Sequence, residues 1–176
     1  MARMQDKVVL ISGAGTGIGK ATAQRLAGEG ARIVASDLDQ ATAEATAQFV
    51  AGRALAHDVR SEADWQRVID DIRANEGRLD ALINNAGILA LTAEQDPEQT
   101  TLEEWQAVQK VNLDGVFLGC KYAIPLLRDS GGGSIVNLSS IAALMGTPHV
   151  TAYGASKGGV RQFSKSVAVH CARQGY

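Results

Sequence analysis

Cysteine is scarce in this chain of 176 residues: Cys120 and Cys171 stand far apart with no C-x-x-C spacing, so nothing suggests a disulfide framework or a thiolate metal site. The three histidines, His57, His149 and His170, form neither an H-x-x-x-H nor an H-E-x-x-H group, so no metal is expected and they read as core or surface residues. No apolar run approaches the ~18 residues of a membrane span, and no signal-peptide pattern opens the sequence. A reducing cytoplasm is the expected location, with no membrane partner. An excess of positive charge is also missing. The formal net charge is -2 at pH 7, and Lys and Arg are scattered, which disfavours nucleic-acid binding. There is no internal repeat and no low-complexity segment, and the glycine run at 131–133 is too short for a linker. What remains is a chain with 45% hydrophobic and 20% charged residues, enough to bury the core of one domain spanning 1–176.

Val8-Val9-Leu10-Ile11 is a continuous apolar run, the pattern of a parallel strand covered on both faces. It leads into Ser12-Gly13-Ala14-Gly15-Thr16-Gly17-Ile18-Gly19 and then a helical stretch, 20–29, closed by Gly30. Strand, glycine turn and helix make a phosphate-binding arrangement. Gly13 permits the tight turn, Gly17 lets backbone approach a pyrophosphate, and Gly19 lets the helix pack closely while its N-terminus offers N–H groups to an anion. A plain glycine-rich surface loop is the competing reading.

Residues 32–37 form a second strand ending in Asp37, 18 residues beyond Gly19. Its carboxylate suits ribose hydroxyls. A 2′-phosphate there meets like charge, and neither Ala14 nor Leu38 offers a cation, so NAD is expected rather than NADP. Alternatively, Asp37 caps the helix beginning near Asp39. After that helix, 39–50, a third strand at 53–57 ends at Asp58-Val59. Asp58 either bonds an adenine amino group or caps the next helix, for which Ser61, with Asp64 three residues on, is the better cap. Trp65, Val68, Ile69 and Ile72 mark that helix's apolar face.

A fourth strand, 79–83, breaks at Asn84-Asn85-Ala86-Gly87, where amides and small residues suit backbone passing close to a flat ligand while side chains tie loops together. A polar loop over 90–101, carrying Pro97, precedes one long helix from about Leu102 to Arg128, with Asn112 set among apolar residues and needing backbone or water partners. A fifth strand, 134–138, ends at Ser139-Ser140. All five strands thus deliver small or polar residues to their carboxyl ends, where open parallel sheets bind ligands. In a final helix from about Thr151 to Arg173, stopped by Gly175, Tyr153 and Lys157 share one face. A cation held near a phenol favours the phenolate, although the pair alone is also compatible with packing plus a solvated charge.

Together SGAGTGIG at 12–19, Asp37, Asp58-Val59, NNAG at 84–87, Asn112, NLSS at 137–140 and YGASK at 153–157 closely resemble the short-chain dehydrogenase/reductase family over the whole chain. SEADW at 61–65 and HCARQGY at 170–176 look like its bacterial hydroxysteroid and cyclic secondary-alcohol dehydrogenases. The resemblance implies an α/β doubly wound parallel sheet, a Rossmann domain. It also implies hydride transfer between NAD and a secondary alcohol or ketone, cyclic or steroid-like, and a homo-oligomer, dimer or tetramer. The implied catalytic residues are Asn112, Ser140, Tyr153 and Lys157, with Ser140 chosen over Ser139 because it stands thirteen residues before the tyrosine. The implied cofactor contacts are Gly13, Thr16, Gly17, Ile18, Gly19, Asp37, Leu38, Asp58, Val59, Asn85, Ala86 and Gly87, together with Tyr153 and Lys157.

Ala142, Leu144, Met145 and His149 are expected to give a mostly apolar substrate wall. Family members run longer than this sequence, which stops where a sixth strand is expected, so the domain is expected to lack its last strands, a substrate-covering segment and an interface helix. One sheet edge would then be exposed and prone to association. Two other functions fit less well: a 3-oxoacyl thioester reductase, which usually runs on NADPH and is opposed by Asp37, and a non-catalytic nucleotide-binding or assembly module.

Overall fold

The computed structural model describes residues 2–90 and 96–173. Five strands, β1 (Val8–Ser12), β2 (Arg32–Asp37), β3 (Arg53–Ala56), β4 (Ala81–Asn84) and β5 (Ser134–Asn137), form one parallel sheet in the order β3-β2-β1-β4-β5. β1 lies in the middle, and Val8, Val9, Leu10 and Ile11 are each fully buried, as a strand with helices on both faces requires. The strand order reverses between β1 and β4, which opens a crevice beyond their carboxyl ends. In register, Ser12 stands beside both Ser36 and Asn84, and Asn84 stands beside Asn137, so the polar strand ends line up on one rim.

Alternate residues along each strand serve opposite layers. Val9, Ile11, Ile33, Ala35 and Ile83 pack with Ala23 of α1 (Gly17–Ala27) and Ala47 of α2 (Gln40–Phe49), where small side chains let the helices lie close. Val8, Leu10, Val34 and Leu82 meet Trp65, Val68 and Ile72 of α3 (Glu62–Glu76) and Leu118, Ala123 and Leu126 of α5 (Gly115–Asp129). Burying each large apolar side chain contributes about 1.5–3 kcal/mol. Helix starts follow local chemistry. Asp39 accepts the Ala41 N–H, Ser61 accepts the Asp64 N–H, and Thr101 accepts the Glu104 N–H at the start of α4 (Leu102–Gln109).

The expected single helix from Leu102 to Arg128 is interrupted. Between α4 and α5, Lys110–Asp114 forms a π turn, and the side chain of fully buried Asn112 bonds outside the helix. The last helix, α6 (Thr151–Arg173), runs as expected to Arg173, while Gly175 and residues 91–95 of the expected loop lie outside the described residues. Val160 of α6 packs with Val116 and Cys120 of α5, with Phe163 and Val167 partly buried against them. β5 is the edge strand on this side. Its Val136 remains 49% exposed, and an apolar groove of about 430 Å³ runs along Ile135 and Val136 between α5 and α6, with Ile124, Val167 and Cys171 on its sides. Among the described residues no helix is long and apolar enough to cross a membrane, and no three His, Cys, Asp or Glu side chains cluster as metal ligands.

Candidate active site

The carboxyl ends of the strands border a cleft of about 680 Å³. Of the residues expected to contact a cofactor, Gly13, Thr16, Gly17 and Ile18 line it after the central strand, and Asp37 and Leu38 after β2. Asp58 and Val59, after the edge strand β3, extend it on the side of Asp37, while Asn85, Ala86 and Gly87, after β4, and then Tyr153 and Lys157, beside Leu138, line it on the other side of β1. Gly19 sits behind the cleft wall and is buried.

The glycine loop is held by polar contacts from neighbouring strands. Asn85 Nδ2 donates to the Ser12 and Gly13 carbonyls at 3.0 and 2.8 Å, and the Ala14 N–H donates to Ser36 O. Gly13 has φ 65°, and a Cβ there would stand 2.8 Å from Ala86 Cα, so only glycine fits this turn. At Gly17 a Cβ would meet nothing within 4 Å, because that face is open to the cleft. Thr16 makes no side-chain cap bond, and the first N–H groups of α1 are free to receive an anion. The loop, the open Gly17 face and the uncapped helix start together form a cradle that fits a dinucleotide pyrophosphate.

A Cβ at Gly19 would lie 2.1 Å from Gly13 O and 2.5 Å from Asn85 Nδ2. Because the first of these is backbone, α1 and the loop must separate. Gly19→Ala is expected to weaken NADH binding by about tenfold or more and to lower unfolding stability by about 1–3 kcal/mol. Fluorescence titration and urea unfolding measure both, and a variant that binds NADH like the parent contradicts the close packing.

Asp37 Oδ2 accepts the Gly15 N–H at 2.9 Å, tying the acid to the glycine loop, and it is Asp39 that caps α2. The capping alternative for Asp58 is likewise displaced, because Ser61 occupies the cap and the Asp58 carboxylate faces Arg60. Bonds from Arg60 hold the Asp58 carboxyl below the usual carboxylate range despite the opposing effect of burial.

On the side of Tyr153 and Lys157, Asn112 is pinned to the segment after Gly87. Its Oδ1 accepts the Ile88 N–H and its Nδ2 donates to Ile88 O, both at 2.8 Å. Nδ2 also donates to Ser156 Oγ at 3.1 Å, and Ser156 in turn donates to Tyr153 O at 2.7 Å. The π turn thereby fixes the first turn of α6. Lys157, only 4% exposed, donates from Nζ to Leu138 O at 2.7 Å, and its Nζ lies 5.7 Å from the Tyr153 ring centre. Burial pushes its ammonium below the usual lysine range.

The two serines after β5 are separated in role. Ser139 Oγ donates to Lys157 O at 2.9 Å and anchors α6, whereas Ser140 Oγ accepts the Ala142 N–H at 3.2 Å. Ser139 lines the cleft; neither Ser140 nor Asn112 borders it directly. Beyond Ser140, a 3-10 turn (Ile141–Ala143) packs on α6, with Ala142 O close to Gly154. Leu144, Met145 and His149 are exposed past that turn.

Two features of the site escaped the sequence reading. His57, expected only to be core or surface, is 3% exposed, and its Nδ1 lies 3.0 Å from Ser36 Oγ. Ser36 Oγ also lies 3.2 Å from Ile11 O, and the buried Nε2 of His57 has no partner among the described residues. Burial pushes this imidazole down to about 4. Its position just before Asp58 was the available signal. The second is Arg60, one of the scattered cations, which borders the cleft.

The family model described as short chain dehydrogenase matches residues 7–175. Cyclopentanol dehydrogenase of Comamonas testosteroni is 44% identical over 177 residues, covering 98% of this chain and 70% of that protein. The NADP-dependent (R)-specific alcohol dehydrogenase of Lentilactobacillus kefiri is 38% identical, covering 99% of this chain and 70% of that protein. A 3-beta-hydroxysteroid dehydrogenase of Comamonas testosteroni is 36% identical, covering 99% and 68%.

Proposed function

Since this chain belongs to the short-chain dehydrogenase family, we propose that it is an NAD-dependent oxidoreductase that interconverts a cyclic or steroid-like secondary alcohol and its ketone. The observation that carries this reading is that Tyr153 and Lys157 line the same cleft as the glycine cradle and Asp37. Relatives that act on cyclopentanol and on a 3-beta-hydroxysteroid favour a ring alcohol.

Bound in the cleft, the nicotinamide dinucleotide supplies the hydride acceptor for oxidation or the donor for reduction. Tyr153 takes the hydroxyl proton of the alcohol as general base, or returns it in reduction. Ser140 holds the substrate oxygen: its Oγ already accepts from Ala142 N–H, which leaves its own proton to donate as charge develops on that oxygen. Lys157 gives one of three protons to Leu138 O and keeps the others for the nicotinamide ribose and the phenol. Asn112, clamped on Ile88 and Ser156, fixes the segment beside Lys157, where a water would connect the ammonium with solvent.

Purified protein should reduce NAD in the presence of cyclopentanol or a 3-hydroxysteroid, followed by NADH absorbance. NADH binding without turnover on any secondary alcohol would favour a binding module instead. The preference for NAD rests on Asp37, which presents negative charge where a 2′-phosphate would lie, although one NADP-dependent relative is known. Asp37→Ala is expected to shift the NADPH/NADH affinity ratio toward NADPH by about tenfold or more. An unchanged ratio would remove the acid from the discrimination. Self-association into a dimer or tetramer belongs to the same reading, supported by the edge-to-face pair of Phe117, which is 46% exposed, and Phe163 on the outer side of α5 and α6.

A further inference from the structure

The Asp58–Arg60 pair has features that a random surface ion pair lacks. Arg60 Nε and Nη2 lie 2.9 and 2.7 Å from Asp58 Oδ1 and Oδ2, a side-on fork, and the Arg60 N–H adds a third bond to Oδ1 at 2.9 Å. The loop is fixed from its other end as well, because the Asp58 N–H donates to Asp64 Oδ2 at 2.9 Å and Asp64 pairs with Arg67. An exposed ion pair of this kind contributes little stability by itself. Its effect is geometric: a long, flexible side chain is immobilised as a flat cation on the wall of the cleft, 48% exposed. The same side of the cleft carries Leu38, an apolar side chain 68% exposed.

We infer that Arg60 is a cofactor-positioning residue whose guanidinium, fixed by Asp58, packs against the adenine base, with Leu38 supplying the apolar contact. The inference rests on the dinucleotide reading above. Guanidinium planes stack on π systems, and the fork with Asp58 meets the orientational cost before the ligand arrives. Because the cation is committed to Asp58, it does not serve as a counter-charge for a 2′-phosphate, which agrees with the acid at Asp37.

The test is fluorescence titration of the full chain and its Arg60→Ala and Arg60→Lys variants with NADH and NADPH, and calorimetric titration with AMP and nicotinamide mononucleotide. In Arg60→Ala the dissociation constants for NADH and AMP should rise together by about three- to fivefold, while that for nicotinamide mononucleotide stays put. Arg60→Lys, which keeps the charge but loses the planar fork, should not restore affinity fully. Unchanged AMP and NADH binding in Arg60→Ala overturns the inference, as does a loss larger for NADPH than for NADH, the signature of a phosphate contact. Failure of the parent protein to bind NADH or AMP would instead overturn the dinucleotide reading, and this inference with it. Matching thermal unfolding of parent and variants shows that any loss is local to the site.

Discussion

Tyr153→Phe is expected to bind NADH within about twofold of the parent while losing turnover by about 10²–10⁴-fold. The substitution removes one oxygen and keeps the ring, so the packing of the first turn of α6 is undisturbed. That turn is held by contacts that do not involve the phenol: Asn112 reaches Ser156, Ser156 reaches the Tyr153 carbonyl, and Lys157 is anchored on Leu138 O. On the proposed reading the glycine cradle and Asp37, across β1 from Tyr153, carry most of the cofactor affinity. What disappears is the group proposed to exchange a proton with the alcohol oxygen. Without it, an alkoxide must form in a site with no base positioned to help. Steady-state oxidation of cyclopentanol alongside NADH titration separates the two effects. Undiminished turnover in Tyr153→Phe would sink the assignment of Tyr153 as the acid–base group.

Acid should destabilise the protein in two stages, the first set by His57. In the folded chain burial holds this imidazole down to about 4, against 6.5 when free. The unfolded chain therefore binds a proton between those values that the folded chain refuses. Stability is complete above pH 6.5, falls as pH drops toward 4, and stops falling on this account below that. The full loss is roughly 3 kcal/mol. Among the groups facing the ring, Asp64 and Asp58 favour its charge and Arg67 opposes it, and burial outweighs them all. The second stage belongs to Asp80. Burial works against its charge, but bonds from Arg78, the Val8 N–H and Lys7 prevail and hold it down to about 2. Its contribution is present above about pH 3.8 and is lost below. Urea unfolding from pH 7 to pH 4 should show the first stage in the parent and a much flatter profile in His57→Gln. A parent whose stability is level across this range would contradict the buried neutral imidazole.

The parts of the site that sequence made legible are those whose chemistry is local. A buried apolar strand followed at once by glycines, or an acid at the end of the next strand, carries its meaning within a few residues, and Tyr153 and Lys157 need only one helical turn to meet. Asp37 and Asp39 were harder to separate, because both stand where a cap is needed; the choice depends on which carboxylate reaches Gly15, a contact made across the sheet. The π turn carries no local signature either. It carries the pairing of Asn112 with Ile88, 24 residues earlier, and side-chain propensity cannot see such a bond. His57 and Ser36 meet because β2 and β3 pair in a particular register, with the His57 N–H on Asp37 O as its continuation. Arg60 looked like one more scattered cation until the fold set it on the cleft wall.

The wider turn at Lys110–Asp114 sets two demands on chain length against each other. A π turn takes up one residue more than the α-helical path between the same two points, so it is a single-residue insertion that the backbone has absorbed without breaking. Deleting one residue there would let α4 and α5 join as a regular helix with a better internal ladder. It would also rotate everything on one side by about 100°, one residue's share of a helical turn. Asn112 would swing off Ile88, and Ser156 would lose the tie that seats α6. The shorter chain would make the better helix, and the longer one keeps Tyr153 and Lys157 in place.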